Sequence, residues 1–411
     1  MRVVVAGAGM AGLRSAEGIR RSGFGGELTI AGAEPHMPYN RPPLSKDGIG
    51  AAFDPAQLPF RVARAATGLD WRLGQPAVAA DLAARTVTLA DGTVIGWDGL
   101  VVATGVRSRR LDLPGPRAGR HAIRTIDDLT ALRAELTAAR RLVVVGGGFI
   151  GSEVAAAARV RGLDVTVIEP EPLPMRRPLG NELAAELLRR HERHGVRFRL
   201  GTLPVAFEGA AGDRVRAVAL SDGTAIEAGL VLEAVGSVPN TEWLDGNGLD
   251  LSDGVACDER LRVLAGGDAR DDVVAAGDVA RYPHPLLFGA SRRIEHWTVA
   301  TDSGKYASAI LARALAGDTA HTADPAAPAA FAAVPTFWSD QYDLRIQSFG
   351  VTGLPDVRVL EGDLDGEVAV GYHHDGLLAG VVLIGLGGRY VHYRAQITGT
   401  IRALTQAETT P

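Results

Sequence analysis

One pattern occurs twice in this chain, and no other feature restricts its fold so strongly. Val3-Val4-Val5-Ala6-Gly7-Ala8-Gly9-Met10-Ala11-Gly12 recurs as Leu142-Val143-Val144-Val145-Gly146-Gly147-Gly148-Phe149-Ile150-Gly151. Each copy is an apolar run, a Gly-x-Gly-x-x-Gly turn and an alanine-rich stretch that stops near a glycine, Gly23 or Gly162. A second apolar run follows, Leu28–Ala31 or Val165–Ile168. The order is strand, tight turn, helix, strand, and two such units predict two parallel, doubly wound sheets. The same spacing argues against a signal peptide at the start, because Arg14, Glu17, Arg20 and Arg21 follow the first turn with no cleavage-like segment.

The three glycines of such a turn do different work. Gly7 and Gly146 allow the sharp bend, Gly9 and Gly148 let a pyrophosphate approach the backbone, and Gly12 and Gly151 let the helix pack on its strand. The helix N-terminus then offers unpaired N–H groups and the positive end of its dipole to phosphate. An acid follows each unit, Glu34 and Glu169, placed to accept from a ribose diol. Glu169 would also repel a 2′-phosphate and so favours NAD over NADP, whereas nearby Arg176 and Arg177 pull the other way. Together the units predict two dinucleotide sites.

At 411 residues the chain has room for two or three domains. Further strands are expected at Leu100–Val102, ending in Ala103-Thr104-Gly105, at Leu230–Val235, ending in Gly236, and at Val273–Ala276, ending in Gly277-Asp278. Ligands bind at the carboxyl ends of parallel strands, so these ends should line the sites. His321–Ala333, rich in Ala and Pro, reads as a linker, and Trp338 to about Gly388 as a small, mostly antiparallel third domain. The net charge of −5 argues against nucleic acid. No apolar run reaches the ~20 residues of a membrane span. The single cysteine, Cys257, excludes an intramolecular disulfide and any Cys-x-x-Cys set, and fits a reducing cytoplasm.

Pro38-Tyr39-Asn40-Arg41-Pro42-Pro43-Leu44-Ser45-Lys46 is the most specific segment. With Ala103-Thr104-Gly105, Ala276-Gly277-Asp278-Val279-Ala280, Arg293-Ile294-Glu295-His296-Trp297 and Phe337-Trp338-Ser339-Asp340-Gln341-Tyr342, it resembles the FAD-dependent pyridine-nucleotide oxidoreductases. Within them it is most similar to the NADH-dependent ferredoxin reductases that serve bacterial oxygenases and cytochromes P450. The resemblance covers nearly the whole chain. It implies an α/β fold with two Rossmann-like dinucleotide-binding domains, the NAD domain inserted in the FAD domain, and a C-terminal α+β domain. The implied bounds are 1–112 with 241–317 for FAD, 113–240 for NAD and 318–411 for the C-terminal domain.

The resemblance also implies roles. Lys46 lies beside flavin N5 and pairs with Glu153, a positive charge stabilising the electron density that arrives with hydride. Asp278 accepts from a ribityl hydroxyl, and Arg124 contacts FAD. Trp297 packs at the isoalloxazine, with the following helix aimed at its pyrimidine edge, and Trp338 shields the flavin or faces the acceptor. The remaining FAD candidates are Gly7, Gly9, Ala11, Gly12, Glu34, Arg41, Ala77, Ala103, Thr104, Gly105, Arg107, Gly277 and Glu295. For NADH they are Gly146, Gly148, Ile150, Gly151, Glu153, Glu169, Gly236 and Arg177, the last either a pyrophosphate clamp or a solvated arginine. Disulfide-using relatives carry two cysteines after the first unit; here that stretch holds Arg41 to Lys46, so flavin passes its electrons directly to an acceptor.

Three departures stand out. Gly32 is followed by Ala33 before Glu34, Leu264–Arg270 is a longer link read as a surface hairpin, and Ser303-Gly304 replaces a family glutamine. The implied reaction takes hydride from NADH to FAD and sends two single electrons to an acidic [2Fe–2S] ferredoxin. Arg41, Arg107, Arg109, Arg110, Arg292 and Arg293 are candidates for a basic docking patch. The rival readings are an NADH oxidase or rubredoxin reductase, and an NADH-responsive flavoprotein of the apoptosis-inducing-factor type.

Overall fold

The computed structural model describes residues 1–50, 52–63, 68–209, 214–317 and 329–408. Among the described residues there are six α-helices: α1 (Met10–Arg21), α2 (Ile126–Leu136), α3 (Phe149–Val160), α4 (Arg176–Arg193), α5 (Trp297–Leu315) and α6 (Tyr390–Glu408).

The first glycine-turn unit builds a six-stranded sheet. Its order is Arg262–Ala265, Asp268–Ala275, Gly99–Val102, Arg2–Ala6, Glu27–Gly32, Asp70–Leu73. All neighbours are parallel except the first two, the hairpin expected around Gly266-Gly267. Val3, Val4, Val5 and Val101 are fully buried, which is why the strands read as unbroken apolar runs. The second unit builds a five-stranded parallel sheet, ordered Arg197–Leu200, Asp164–Glu169, Arg141–Val145, Leu230–Glu233, Arg120–His121. The chain thus leaves the first sheet after Gly99–Val102, completes the second, and returns with the hairpin of Arg262–Ala265 and Asp268–Ala275, the latter beside Gly99–Val102.

The two crossings run side by side. Val106–Ser108 pairs antiparallel with Ser237–Pro239. Just before it, Thr104 Oγ1 donates to the Asn240 carbonyl at 2.7 Å and Asn240 Nδ2 donates to the Thr104 carbonyl at 2.9 Å.

The internal repeat extends further than the glycine turns. Each sheet carries a three-stranded antiparallel meander, Ala77–Gly96 in the first and Pro204–Glu227 in the second, between an outer strand and the strand that returns to the centre. These strands are short and half-exposed, so their sequences lack the long apolar runs of the central strands. The third sheet is antiparallel, ordered Thr336–Gln341, Leu344–Gly350, Leu377–Ile384, Val368–His374, Asp356–Gly362. The helix within this last region is α6, whose Tyr393, Ile397 and Ile401 bury against Val381 and Leu383.

Two features add to what was expected. Residues 321–328 of the expected linker lie outside the described residues, but its end is anchored: Phe331 is buried in the first core, beside the Tyr282 ring, and its N–H donates to the Glu259 carbonyl. And Ser303-Gly304 is a packing device. A Cβ on Gly304 would lie 2.6 Å from the Ala11 carbonyl, so glycine lets α5 press on α1, while Ser303 Oγ accepts from Gly277 N–H at 2.9 Å.

Candidate active site

Both glycine turns have the same construction. Gly7 and Gly146 have φ of +119° and +104°, and a Cβ on either would lie 2.0 or 2.3 Å from the carbonyl of Ala103 or Ala234. A Cβ on Gly12 or Gly151 would strike the carbonyl of Gly7 or Gly146, at 1.8 and 1.9 Å. Gly9 and Gly148, the N-caps of α1 and α3, have no side-chain cap and nothing within 4 Å of a built Cβ. The first and third glycines therefore serve packing, and the second leaves open space at a helix N-terminus where phosphate is favoured.

A cavity of about 1080 Å³ runs from the first glycine turn to Phe149, Ile150 and Glu153 of α3. It is lined by Gly7, Gly9, Ala11, Glu34, Arg41, Lys46, Ala77, Ala103, Thr104, Gly105, Arg107, Arg124, Gly277, Asp278, Glu295 and Trp297 of the first set of candidates. Gly12 lies behind the wall, in α1. Of the second set, only Ile150 and Glu153 reach this cavity. Gly146, Gly148, Gly151, Glu169 and Gly236 lie outside its lining, at the turn into α3, within its first residues and at the strand ends of the second sheet.

Lys46 and Glu153 are the chemical centre. Lys46 Nζ is 2.7 Å from Glu153 Oε1, with side chains 12% and 3% exposed. Three donors converge on the carboxylate, two from neighbouring residues and one from the far end of the chain. Besides Lys46, Ser45 Oγ donates to Oε2 at 2.5 Å and Ser339 Oγ to Oε1 at 2.6 Å. Ser45 ends the helical turn Pro42–Ser45 and Lys46 caps it, Glu153 projects from α3, and Ser339 comes from the third sheet. The pair thus stands where three folding units meet.

Around it, Arg124 Nη2 donates to Asp278 Oδ2 at 2.8 Å, so the acid is held by the arginine that was expected to contact the same ligand. Glu34 accepts from both the Tyr39 hydroxyl and Arg41, and burial pushes the Tyr39 phenol well above its ordinary pKa. Trp297 opens α5, donates through Nε1 to Asn40 Oδ1 at 2.9 Å, and meets Trp338 edge to face at 5.9 Å. His296 beside it packs on Phe337 and is held neutral, its pKa pushed by burial to about 4. Cys257 is buried in the first core and absent from the cavity wall.

Several expected residues sit elsewhere or are otherwise engaged. Glu169 is tied to its own turn, Oε2 accepting from Gly147 N–H at 2.6 Å and Oε1 from Glu171 N–H at 2.9 Å. Arg177 is 85% exposed and, like Arg176, pairs with Glu171, at 3.2 and 3.0 Å. The six arginines of the expected docking patch are mostly neutralised: Arg41 by Glu34, Arg107 by Glu242, Arg110 by Glu233 and Arg293 by Asp253 and Glu295. Arg109 and Arg292 remain exposed with no ion pair among the described residues. Ser45 and Ser339 both stood in quoted motifs, and Tyr39 beside Arg41; none was singled out as a site residue.

The residues present fit a dinucleotide across the first turn and a second one entering past Ile150 and Glu153: an open cradle at the α1 N-terminus, a buried acid–base pair at the junction, and aromatic walls. The chain belongs to the pyridine nucleotide-disulphide oxidoreductase family, which residues 1–304 match, while residues 336–409 match the reductase C-terminal family. Membership implies FAD and a nicotinamide nucleotide. Rhodocoxin reductase of Rhodococcus erythropolis is 38% identical over 373 residues, covering 90% of this chain and 82% of the relative. The ferredoxin–NAD(+) reductase component of the anthranilate 1,2-dioxygenase system of Burkholderia cepacia is 37% identical, covering 93% and 91%. Among solved structures, the covalent putidaredoxin reductase–putidaredoxin complex superposes with a TM-score of 0.86 at 30% identity, over 97% of this chain and 93% of that one. Among the described residues, no helix is long and apolar enough to cross a membrane.

Proposed function

We propose that this chain is an NADH-dependent ferredoxin reductase, delivering electrons to a [2Fe–2S] ferredoxin of a cytochrome P450 or oxygenase system. The observation that carries the reading is the buried Lys46–Glu153 pair, 2.7 Å apart at the junction of the two nucleotide units, in a cavity with no cysteine. Relatives and a structural neighbour named for ferredoxin reduction support it. Bound FAD would take two electrons together from a nicotinamide and release them singly to an iron–sulphur acceptor.

The residues divide that work. Gly9 and Ala11, with the α1 N-terminus, hold the FAD pyrophosphate on the turn that Gly7 and Gly12 allow to close; Glu34 takes its ribose; Arg124 and Asp278 take the ribityl chain; Trp297 packs on the ring. Gly148, Ile150 and Glu169 hold NADH, on the turn that Gly146 and Gly151 allow to close. Lys46 presents positive charge where negative charge accumulates, and Glu153 keeps it there. We assign 1–112 with 241–317 to the FAD domain, 113–240 to the NAD domain and 318–411 to the C-terminal domain, working in a reducing cytoplasm.

The test is an anaerobic stopped-flow experiment on the FAD-loaded chain. NADH should bleach the flavin faster than NADPH does, and oxidised [2Fe–2S] ferredoxin should restore it rapidly. Bleaching without ferredoxin turnover, accompanied by steady oxygen consumption in air, would overturn the proposal in favour of an oxidase.

A further inference from the structure

Glu153 is held from the third sheet by a chain of hydrogen bonds that all point one way. His191 Nε2 lies 2.8 Å from Gln341 Oε1. A carbonyl oxygen only accepts, so Nε2 carries the hydrogen and Nδ1 is left as an acceptor, which the Tyr342 hydroxyl approaches at 3.2 Å. Gln341 Nε2 donates to Ser339 Oγ at 3.0 Å, with Met175 Sδ 3.6 Å from the same nitrogen. The serine oxygen is thereby an acceptor on one side, and its own hydrogen goes to Glu153 Oε1 at 2.6 Å. Ser339, His191 and Gln341 are 0%, 0% and 1% exposed, so water does not compete for these groups. Burial also pushes the His191 pKa to about 4, keeping the ring neutral and the sense of the chain unchanged through the neutral range.

We infer that Ser339 is a positioning residue for Lys46, acting through Glu153, and that Gln341 and His191 fix the direction of its hydroxyl. Glu153 Oε1 is shared between Lys46 and Ser339, and Oε2 is taken by Ser45. A carboxylate gripped at both oxygens cannot rotate, so its ammonium partner has one place to sit. The third sheet, which supplies no glycine turn, in this way contributes to the reaction centre. Tyr342 closes the far end. It stands in the two-residue turn between Gln341 and Leu344 with φ of +58°, stacked on His194 at 3.7 Å.

The inference rests on reading the cavity as a nicotinamide–flavin reaction centre, and the experiment separates the two. Lys46 and Lys305 are the only lysines, so the FAD-loaded chain labelled with [¹³Cε]lysine gives two Cε resonances, assigned with Lys305→Arg. Ser339→Ala should move the Lys46 resonance, leave that of Lys305 in place, and slow flavin reduction by NADH about tenfold, the worth of one hydrogen bond to a charged group. Ser339→Thr, which keeps the hydroxyl, should restore both. Gln341→Met, which removes the donor that orients the serine, should move the same resonance with Ser339 intact, and it carries the test if Ser339→Ala fails to fold. An unmoved Lys46 resonance with an unchanged reduction rate in Ser339→Ala, or in Gln341→Met where that variant carries the test, overturns the inference. A wild-type chain that NADH cannot reduce sinks the functional reading instead, and the Lys46 resonance still decides the positioning role.

Discussion

Glu153→Gln removes one charge and almost no volume, which makes it the cleanest probe of the junction. The amide still offers one oxygen for Lys46 and Ser339, and the Ser45 hydroxyl can turn to accept from the new NH₂, so the packing survives. What is lost is the anion facing an ammonium that is 12% exposed. At 2.7 Å the attraction is about 6 kcal/mol with an effective dielectric near 20. An amide dipole retains part of this, and breaking one side of a buried pair typically costs about 3–5 kcal/mol. We therefore expect Glu153→Gln to lower the unfolding free energy by roughly 3 kcal/mol. Lys46→Met in the same background should recover most of that, because the stranded charge is gone. Urea unfolding followed by tryptophan fluorescence across the four members of the cycle measures the coupling. A coupling below about 0.5 kcal/mol, the limit for independent sites, would show that the pair is not closed in solution and would remove the basis of the argument. In the FAD-loaded chain the same substitution should slow reduction by NADH about a hundredfold, as loss of a preorganised electrostatic group does.

Three other outcomes follow from the geometry. Gly7→Ala places a methyl 2.0 Å from the Ala103 carbonyl at a left-handed φ, so the variant should purify colourless, which the flavin absorbance at isolation checks. Glu171→Gln frees Arg176 and Arg177 from their shared carboxylate, and the ratio of kcat/KM for NADPH to that for NADH should rise about tenfold, the worth of one charge-assisted contact to a 2′-phosphate. His191, His284 and His296 are pushed by burial to about 4, so between about pH 6.5 and 4 the unfolded chain binds more protons than the folded one. Stability should be full above about pH 6.5, fall by up to roughly 3 kcal/mol per histidine as the pH drops to about 4, and level off below, as urea midpoints across that range would report.

What was legible in the sequence was local or written in repeats. The glycine spacing and the apolar runs place both parallel sheets, and Asp268–Ala275 pairs where a returning strand was expected. The meanders were not legible, because strands such as Ala77–Asp81 alternate weakly between half-buried and exposed positions. Nor was the grip on Glu153. Ser339 is 186 positions from it, and a serine in a strand carries no mark of the carboxylate it will meet. Arg107 and Arg110 misled in the opposite direction: runs of arginine suggest an exposed basic field, but their acids, Glu242 and Glu233, lie more than a hundred residues away. Gly304 is a middle case, since its departure from the family pattern was visible and its reason, the Ala11 carbonyl, was not.

The ladder between Val106–Ser108 and Ser237–Pro239 has a mechanical consequence. Two separate tethers would let the inserted body swivel. Stitched to each other and cross-braced by Thr104 and Asn240, they form a single two-stranded strap in which neither tether can twist without breaking its bonds to the other. The body that carries α3 is thereby held through one braced connection instead of two independent ones. Glu153 is carried by that braced body, and its seat between Ser45 and Ser339 is set from both sides.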